Sequence, residues 1–361
     1  MKFLYIDDET LEKSKGLILN LLGEIQKDHF EYVIEQPKTW NEQKAHLIEE
    51  RELDNYDGLL LDLKLQFSEG DDNNVRFSGP DLAQTIRSEV RAGKIKDLPI
   101  FLYSTNDNFK DLLDRTSIDL FDKMYSKNKD LDQEETKKEF ISFANAYKVL
   151  KEEDRSVENL MKKTKEENEE LISLEAELGN FKTPHEFIYL IKQYVIQSNG
   201  LLIDEELLAI RLGIDIKNSP NWKELKQGFL NEFKYSGILG DCCERWWQSE
   251  LLNKWKMIVG KSLLVMTAQE KVDAIKEVFN LSEIQALGLP KFHNYDTFWY
   301  KCRLSNTPLD PSDALRTIEM PRYVWQEPSY ISKAYIKSDE RVKSDILSLL
   351  GGNELKIFSS L

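Results

Sequence analysis

Short apolar segments alternate with helical patterns through the first 130 residues, and this alternation restricts the chain to a few folds. The segments lie at 2–6, 31–35, 57–63, 98–104 and 120–126. The third of them, DGLLLDL, is an apolar run between turn signals, which is typical of a central parallel strand covered on both faces. Repeated alternation of strand and helix indicates a doubly wound α/β sheet. The sequence therefore predicts five parallel strands with helices on both faces.

Polar side chains stand where these predicted strands end. Asp7 and Asp8 follow the first strand, Asp62 ends the third, Ser104 ends the fourth and Lys127 follows the fifth. Ligands of open α/β sheets bind at the carboxyl ends of the strands. Three carboxylates at one edge would repel each other unless a cation joined them, and Mg2+ prefers such oxygen ligands. The lysine and the hydroxyl suit the oxygens of a phosphoryl group.

This arrangement resembles the receiver domain of two-component response regulators over about residues 1–130. The matching segments are FLYIDDE (3–9), DGLLLDLKL (57–65), GPDLAQTIR (79–87), LPIFLYST (98–105) and MYSK (124–127). The resemblance implies a flavodoxin-like fold and a phosphoryl group taken from a histidine kinase or a phosphotransfer protein. It also implies that the protein is no enzyme beyond its own phosphorylation and dephosphorylation.

The resemblance assigns a metal site that holds Mg2+ or Mn2+. Asp62 is implied as the phosphoacceptor and as a metal ligand, and Asp8 as a direct ligand. Asp7 is implied to hold the metal mainly through water, and the backbone carbonyl of Lys64 to be a third ligand.

Further positions match the family only in part. By resemblance, Ser104 is the switch hydroxyl and Lys127 the lysine that senses the phosphoryl group. Gln66 and Asn128 replace two prolines of the family, and Met124 stands at its aromatic switch position. These departures put the conformational switch in doubt more than phosphoryl acceptance. The segment at 66–77, rich in Gly, Asp and Asn, is interpreted as a solvated acidic loop. A loop that covers the site or binds a partner is the alternative.

A heptad pattern begins near residue 136 and predicts one long helix, a connector at 133–182. Its seam contains Phe143, Ala146, Leu150, Val157, Leu160, Leu171, Leu174, Leu178 and Phe181, with Glu153, Thr164 and Glu167 as interruptions. Two interpretations stay open: a marginal coiled coil that forms a homodimer, or a single charged helix lying against the protein.

Residues 183–361 are predicted to form a mainly α-helical output or interaction domain, which resembles no family that we recognise. This part of the chain holds six of the seven tryptophans. Trp246 and Trp247 are interpreted as core residues, with an exposed face for a protein partner as the alternative. The segment DEELLAIRLGID (204–215) has part of a helix-turn-helix pattern. Basic residues after it are few, and nucleic acid is not the expected partner.

Charge and cysteine content exclude several other classes. The chain has 64 Asp and Glu against 49 Lys and Arg, a net charge of −15, which does not suit a nucleic-acid-binding surface. Three cysteines without a CxxC pair predict free thiols in a reducing cytosol. The N-terminal segment MKFLYIDDE lacks a signal-peptide pattern, and no apolar run is long enough for a membrane span. A cytoplasmic location is expected.

Taken together, the patterns predict a receiver at 1–132, the connector at 133–182 and an output domain at 183–361. The expected function is a phosphorylation-controlled signalling protein whose C-terminal part binds an unidentified protein. The alternatives are a DNA-binding transcriptional regulator and a receiver that acts as a phosphate sink for a kinase.

Overall fold

The computed structural model describes residues 1–23, 30–68, 74–105, 115–129, 132–151, 155–338, 346 and 348–359. The chain forms two compact units, each built from several segments. The first unit contains residues 1–163, 175–192 and 236–242, and the second contains 164–174, 193–235 and 243–361. Much of the predicted connector and the helix that follows it therefore belong to the same unit as the N-terminal sheet. The functional domain boundaries at residues 132 and 182 stay predictions.

The first unit is built on a five-stranded parallel sheet, as predicted. Its strands are β1 (Lys2–Ile6), β2 (Glu31–Glu35), β3 (Gly58–Leu61), β6 (Ile100–Ser104) and β7 (Lys123–Ser126), numbered with the hairpin strands β4 and β5 defined below. The order across the sheet is β2-β1-β3-β6-β7, and every pair is parallel. The order reverses direction at β1, so the edge beside β1 and β3 is a topological switch point.

Apolar residues on both faces of the central strands explain why these segments form a covered sheet. Leu4, Leu59 and Ile100 are fully buried, as the continuous apolar runs predict. Helices α1 (Leu11–Leu22), α2 (Trp40–Lys44), α3 (Gly79–Arg91), α4 (Arg115–Ile118) and α5 (Gln133–Val149) accompany the strands. Most of the helix that the pattern predicts at 107–115 lies outside the described residues.

The segment interpreted as a solvated loop forms a hairpin instead. Strands β4 (Lys64–Ser68) and β5 (Asn74–Ser78) pair antiparallel, and the residues between them lie outside the described part. Leu65 and Phe77 are register partners, and Leu65 is fully buried. The prediction weighed the Gly, Asp and Asn content of the segment and missed its apolar anchors. Ser78 ends the hairpin and caps α3 through a reciprocal capping box with Asp81.

The predicted single helix through 136–181 is wrong, because three separate helices occupy this stretch. They are α5 (Gln133–Val149), α6 (Val157–Met161) and α7 (Glu170–Leu178). Ser156 caps the start of α6, and Lys162 ends it in the left-handed region at a φ of 55°. The Thr164 hydroxyl and backbone N–H both donate to Glu167, at 2.9 Å each. Thr164 and Glu167, which interrupt the predicted seam, thus stabilise a turn between α6 and α7.

Except for the half-buried Phe181, the apolar residues of the predicted seam are buried within the chain. Exposure is 3% or less for every one of Leu150, Val157, Leu160, Leu171, Leu174 and Leu178. Side chains that already pack in the protein's own interior cannot pair with a second copy as a coiled coil. The homodimer predicted through this seam is therefore not supported, and the heptad spacing reflects core positions of three short helices.

A buried charge cluster lies at the amino edge of the sheet, opposite the predicted site. The guanidinium of Arg87 on α3 donates to Asp97 at 2.7 Å and to Asp122 at 2.9 Å. Asp122 also accepts from the Tyr147 hydroxyl at 2.9 Å and from the Ile100 N–H at 2.8 Å. Burial alone would raise the pKa of Asp122, but His185 and Arg87 lower it to about 2. The cluster joins α3, α5 and the starts of β6 and β7.

The second unit is mainly helical, as predicted, and its described residues also form three short antiparallel strand pairs. Its helices include α9 (Glu205–Arg211), α10 (Trp222–Gln227), α11 (Gln248–Val259) and α12 (Ala268–Phe279), which follow α8 (Pro184–Ile191) of the first unit. Two further helices lie at Lys333–Ser338 and Gly352–Ser359. Trp246 and Trp247 are 0% and 3% exposed and belong to the hydrophobic core, as predicted. No helix among the described residues has the length and apolar character of a membrane span.

The possible helix-turn-helix at 204–215 does not form. Residues 212–221 separate α9 from α10, whereas the motif needs a turn of about three or four residues. Gly213, at a φ of 70°, ends α9 but leads into a 3-10 turn at Ile216–Asn218 rather than into a second helix. The glycine pattern therefore marks an ordinary helix end.

Candidate functional site

Three of the predicted site residues meet at the carboxyl edge of the sheet. The Lys127 ammonium, after β7, lies 2.6 Å from Asp62 Oδ1 and 2.9 Å from Asp7 Oδ2. Asp7 follows β1 and Asp62 follows β3, and these two strands are neighbours. One cation therefore bridges two carboxylates that are far apart in sequence, and we call this the lysine-bridged arrangement.

Asp62 occupies a confined position with little solvent contact. Its side chain is 11% exposed, and Oδ2 accepts a hydrogen bond from the Lys64 backbone N–H at 2.9 Å. Burial raises the pKa of Asp62 above its usual value, although Lys127 and the Lys64 N–H lower it. Because only the ionised carboxylate is a nucleophile, Asp62 needs a higher pH than an ordinary aspartate to reach that form.

Asp7 is more deeply enclosed than Asp62, and it accepts hydrogen bonds from three groups. The Tyr5 hydroxyl and Lys127 both donate to Oδ2, and the Glu9 backbone N–H donates to Oδ1 at 3.0 Å. The residue as a whole is 0% exposed. Sequence reasoning missed Tyr5, because an aromatic residue within an apolar strand is normally read as core. Its position two residues before Asp7, on the same side of β1, was the available signal.

Asp8 and Ser104 lie at the same edge of the sheet. Asp8 is half-buried in the bend after β1, directly beside Asp7 in sequence. Ser104 is the last residue of β6, is 4% exposed and pairs in register with Ser126 of β7. The Lys127 N–H donates to the Ser104 carbonyl at 2.7 Å, which fixes where the lysine leaves the sheet.

The residues fit a hard divalent cation in charge and in donor chemistry. Asp7, Asp8 and Asp62 bring three carboxylates to one edge of the sheet, and carboxylate oxygens are ligands that Mg2+ and Mn2+ prefer. Over the part of the chain that the structure describes, however, no group of three or more His, Cys, Asp or Glu is arranged to hold a metal. Lys127 takes the place between Asp7 and Asp62 that a shared cation would need.

Residues at the predicted conformational switch, at the end of β7 and directly after it, form hydrogen bonds with neighbouring elements. The Tyr125 hydroxyl, next to Met124, donates to Glu139 Oε2 of α5 at 2.9 Å, and Tyr125 is 3% exposed. The Asn128 backbone N–H donates to Ser126 Oγ at 3.1 Å, and its side-chain amide donates to the Thr105 carbonyl. Asn128 thus ties the loop after β7 to the end of β6 in the position where the family has proline.

Gly79 is a second residue that sequence reasoning did not single out. A Cβ at this position would lie 2.4 Å from the Asp62 carbonyl oxygen. Its N–H donates to the Leu63 carbonyl at 3.0 Å. The start of α3 can therefore approach the Asp62 backbone only because residue 79 has no side chain.

Replacing Gly79 by alanine should displace the Asp62 backbone and lower the free energy of unfolding by about 1–3 kcal/mol, as overpacking does. The matched control is Gly16→Ala in α1, where a Cβ would meet nothing within 4 Å. The control should be neutral or stabilising by up to about 1 kcal/mol. Urea unfolding of both variants measures the difference, and equal effects would mean that the close approach at Gly79 is unimportant.

Two response regulators are among the solved structures to which the chain is similar. The phosphorylated cyanobacterial phytochrome response regulator RcpA is 20% identical, covers 42% of this chain and 90% of its own, and has a TM-score of 0.25. The Mn2+-bound form of response regulator Rcp1 is 19% identical, covers 38% of this chain and 88% of its own, and has a TM-score of 0.26. No protein-family model and no curated protein matches the sequence.

The fold is established by the chain itself, because five parallel strands in the order β2-β1-β3-β6-β7 fit a receiver fold. The matches to response regulators fall on the N-terminal part of the chain that contains this sheet.

Proposed function

We propose that the first unit accepts a phosphoryl group on Asp62 and that this modification controls the second unit. The observation that carries the proposal is the contact of 2.6 Å between Asp62 and Lys127 at the carboxyl edge of the sheet. A nucleophilic carboxylate beside a buried cation is what phosphoryl acceptance requires. The donor would be a phosphohistidine of a sensor kinase or of a phosphotransfer protein.

In the proposed transfer, one carboxylate oxygen of Asp62 attacks phosphorus in line with the bond to the donor imidazole. The new O–P bond forms as the N–P bond breaks, and the imidazole nitrogen leaves with the electron pair. Lys127 balances charge on the phosphoryl oxygens, and Ser104 lies at the edge where its hydroxyl would donate to one of them. Hydrolysis reverses the state when water attacks phosphorus and the carboxylate leaves.

A divalent cation would bind at the same edge of the sheet in the proposed transfer. Asp8, Asp62 and the Lys64 carbonyl would hold it, with Asp7 nearby. When bound, it supplies positive charge that lets an anionic phosphoryl group approach three carboxylates. The lysine-bridged arrangement would have to open for this.

The ion pairs formed by lysines of the second unit favour a protein as its partner over DNA. Lys226 of α10 is paired with Glu205 at 3.1 Å and with Glu244 at 3.0 Å, and Lys234 is paired with Glu244 at 2.6 Å. Lysines that are neutralised in this way contribute little to attracting phosphate backbones. A receiver that acts only as a phosphate sink stays an alternative, and it would leave the second unit unchanged.

The direct test is labelling of the full chain by acetyl phosphate, with and without Mg2+. We expect one phosphoryl group per chain in wild type, dependent on Mg2+, and none in Asp62→Asn. The matched control is Asp57→Asn, at the opposite end of β3, which should be labelled like wild type. Labelling of Asp62→Asn at the wild-type level would refute the assignment. Hydrogen exchange of residues 193–235 is then measured with and without beryllofluoride. A change in exchange supports control of the second unit, whereas a receiver that is only a phosphate sink would leave exchange unchanged.

A further inference from the structure

The Tyr5 hydroxyl is the unusual feature of the candidate site. It donates to Asp7 Oδ2, the same oxygen that accepts from Lys127. Tyr5 is 1% exposed, so this contact is shielded from solvent. A carboxylate oxygen can only accept, so the Tyr5 hydroxyl acts as the donor towards Asp7.

A second tyrosine lies beside it and has a different partner. The rings of Tyr5 and Tyr103 are 6.2 Å apart, and the Lys127 ammonium lies 6.0 Å and 5.6 Å from their centroids. The Tyr103 hydroxyl donates to the Leu17 carbonyl of α1 at 3.1 Å, not to a carboxylate. Both rings thus flank the ammonium, but only the hydroxyl of Tyr5 acts on the acidic cluster.

Three groups already donate hydrogen bonds to Asp7. Part of the negative charge of its carboxylate is therefore already neutralised before a cation arrives. Hydrogen bonds to an ionised carboxylate are among the stronger ones in proteins, and buried ones are not weakened by solvent. A divalent cation that approaches the cluster must compete with Lys127 for the same carboxylates. Any group that holds Asp7 in the lysine-bridged arrangement therefore weakens cation binding.

We propose that Tyr5 is a positioning residue that lowers the cation affinity of this site by holding Asp7 in the lysine-bridged arrangement. The inference rests on the proposed function, because it concerns the same site. It predicts that loss of a hydroxyl increases binding, whereas damage to the structure would decrease it. The ring of Tyr5 stays in place in Tyr5→Phe, so that only the hydrogen bond to Asp7 is removed.

The test is a calorimetric titration of the full chain with MgCl2, for wild type, Tyr5→Phe and Tyr103→Phe. We expect Tyr5→Phe to bind Mg2+ about 3- to 10-fold more tightly than wild type, the range that one hydrogen bond allows. Tyr103→Phe should differ from wild type by less than about twofold, because its hydroxyl has no carboxylate partner. Thermal melts with and without Mg2+ should show a larger Mg2+-dependent rise in Tm for Tyr5→Phe.

The outcomes separate this inference from the proposed function. If wild type is labelled on Asp62 but Tyr5→Phe binds Mg2+ equally or more weakly, the role of Tyr5 is refuted and the acceptor site stands. An equal gain of affinity in Tyr103→Phe would also refute it, because the effect would then not depend on the bond to Asp7. If none of the three proteins binds Mg2+ and wild type is not labelled, the proposed function itself fails.

Discussion

Replacing Lys127 by methionine is expected to slow phosphoryl transfer from acetyl phosphate to Asp62 by about 100-fold or more, as loss of a group that stabilises transition-state charge does. Burial alone would lower the pKa of Lys127, but Asp62 and Asp7 raise it above its usual value, so the side chain stays charged. It is the one cation within 3 Å of the Asp62 carboxylate among the described ion pairs. The rate of labelling at fixed acetyl phosphate and saturating Mg2+ measures the effect.

The matched control for Lys127 lies at the other end of the same strand, β7. Lys123 belongs to β7, but its ammonium pairs with Glu139, away from the acceptor. Lys123→Met should be labelled at a rate within about twofold of wild type, because a surface pair contributes little. Equal losses in both variants would show that net charge, rather than the contact with Asp62, determines the rate.

Replacing Arg87 by methionine is expected to lower the free energy of unfolding by about 3–5 kcal/mol. The substitution keeps much of the volume but leaves Asp97 and Asp122 buried without the cation that contacts both. Since the total stability of a domain is about 5–15 kcal/mol, this is a large fraction of it. Urea unfolding followed by circular dichroism gives the value, and a loss below about 1 kcal/mol would contradict a structural role for the cluster.

Arg91 provides the comparison, because it lies one turn further along α3. It pairs with Glu186, but its side chain is 69% exposed. Arg91→Met should therefore cost less than about 1 kcal/mol.

The same cluster makes a prediction about acid stability. The pKa of Asp122 in the folded protein is lowered to about 2, so the carboxylate stabilises the fold fully above its unfolded value of about 4. That contribution decreases as the pH falls from there towards 2. Arg87→Met should unfold at a higher pH than wild type in an acid titration.

The sheet and the contact between Asp62 and Lys127 were predictable because each depends on a local pattern. Apolar runs such as 57–63 determine where strands lie. Parallel pairing then brings the carboxyl ends of all strands to the same edge of the sheet. Asp62 and Lys127 are 65 residues apart, but both follow predicted strands, so their contact could be inferred. No spatial information beyond the strand order was needed.

The rest depends on contacts that no local pattern reports. Tyr5 has the spacing of a core residue in β1. That its hydroxyl donates to Asp7 becomes clear only from the position of Asp7 in the structure. Gly79 matters because the Asp62 carbonyl lies where its side chain would be. The heptads at 136–181 were misleading because a spacing of 3.5 residues fits any helix with a buried face. The turn held by Thr164 and Glu167 depends on side-chain hydrogen bonds that the apolar pattern does not record.

The central claim is that Asp62 takes the phosphoryl group, and identification of the modified residue tests it most directly. The full chain would be treated with acetyl phosphate and Mg2+, reduced with borohydride to convert aspartyl phosphate into homoserine, and analysed by peptide sequencing in a mass spectrometer. We predict homoserine at position 62, and none at positions 7, 8 or 57. Homoserine at another of these positions, with aspartate intact at 62, would contradict the account.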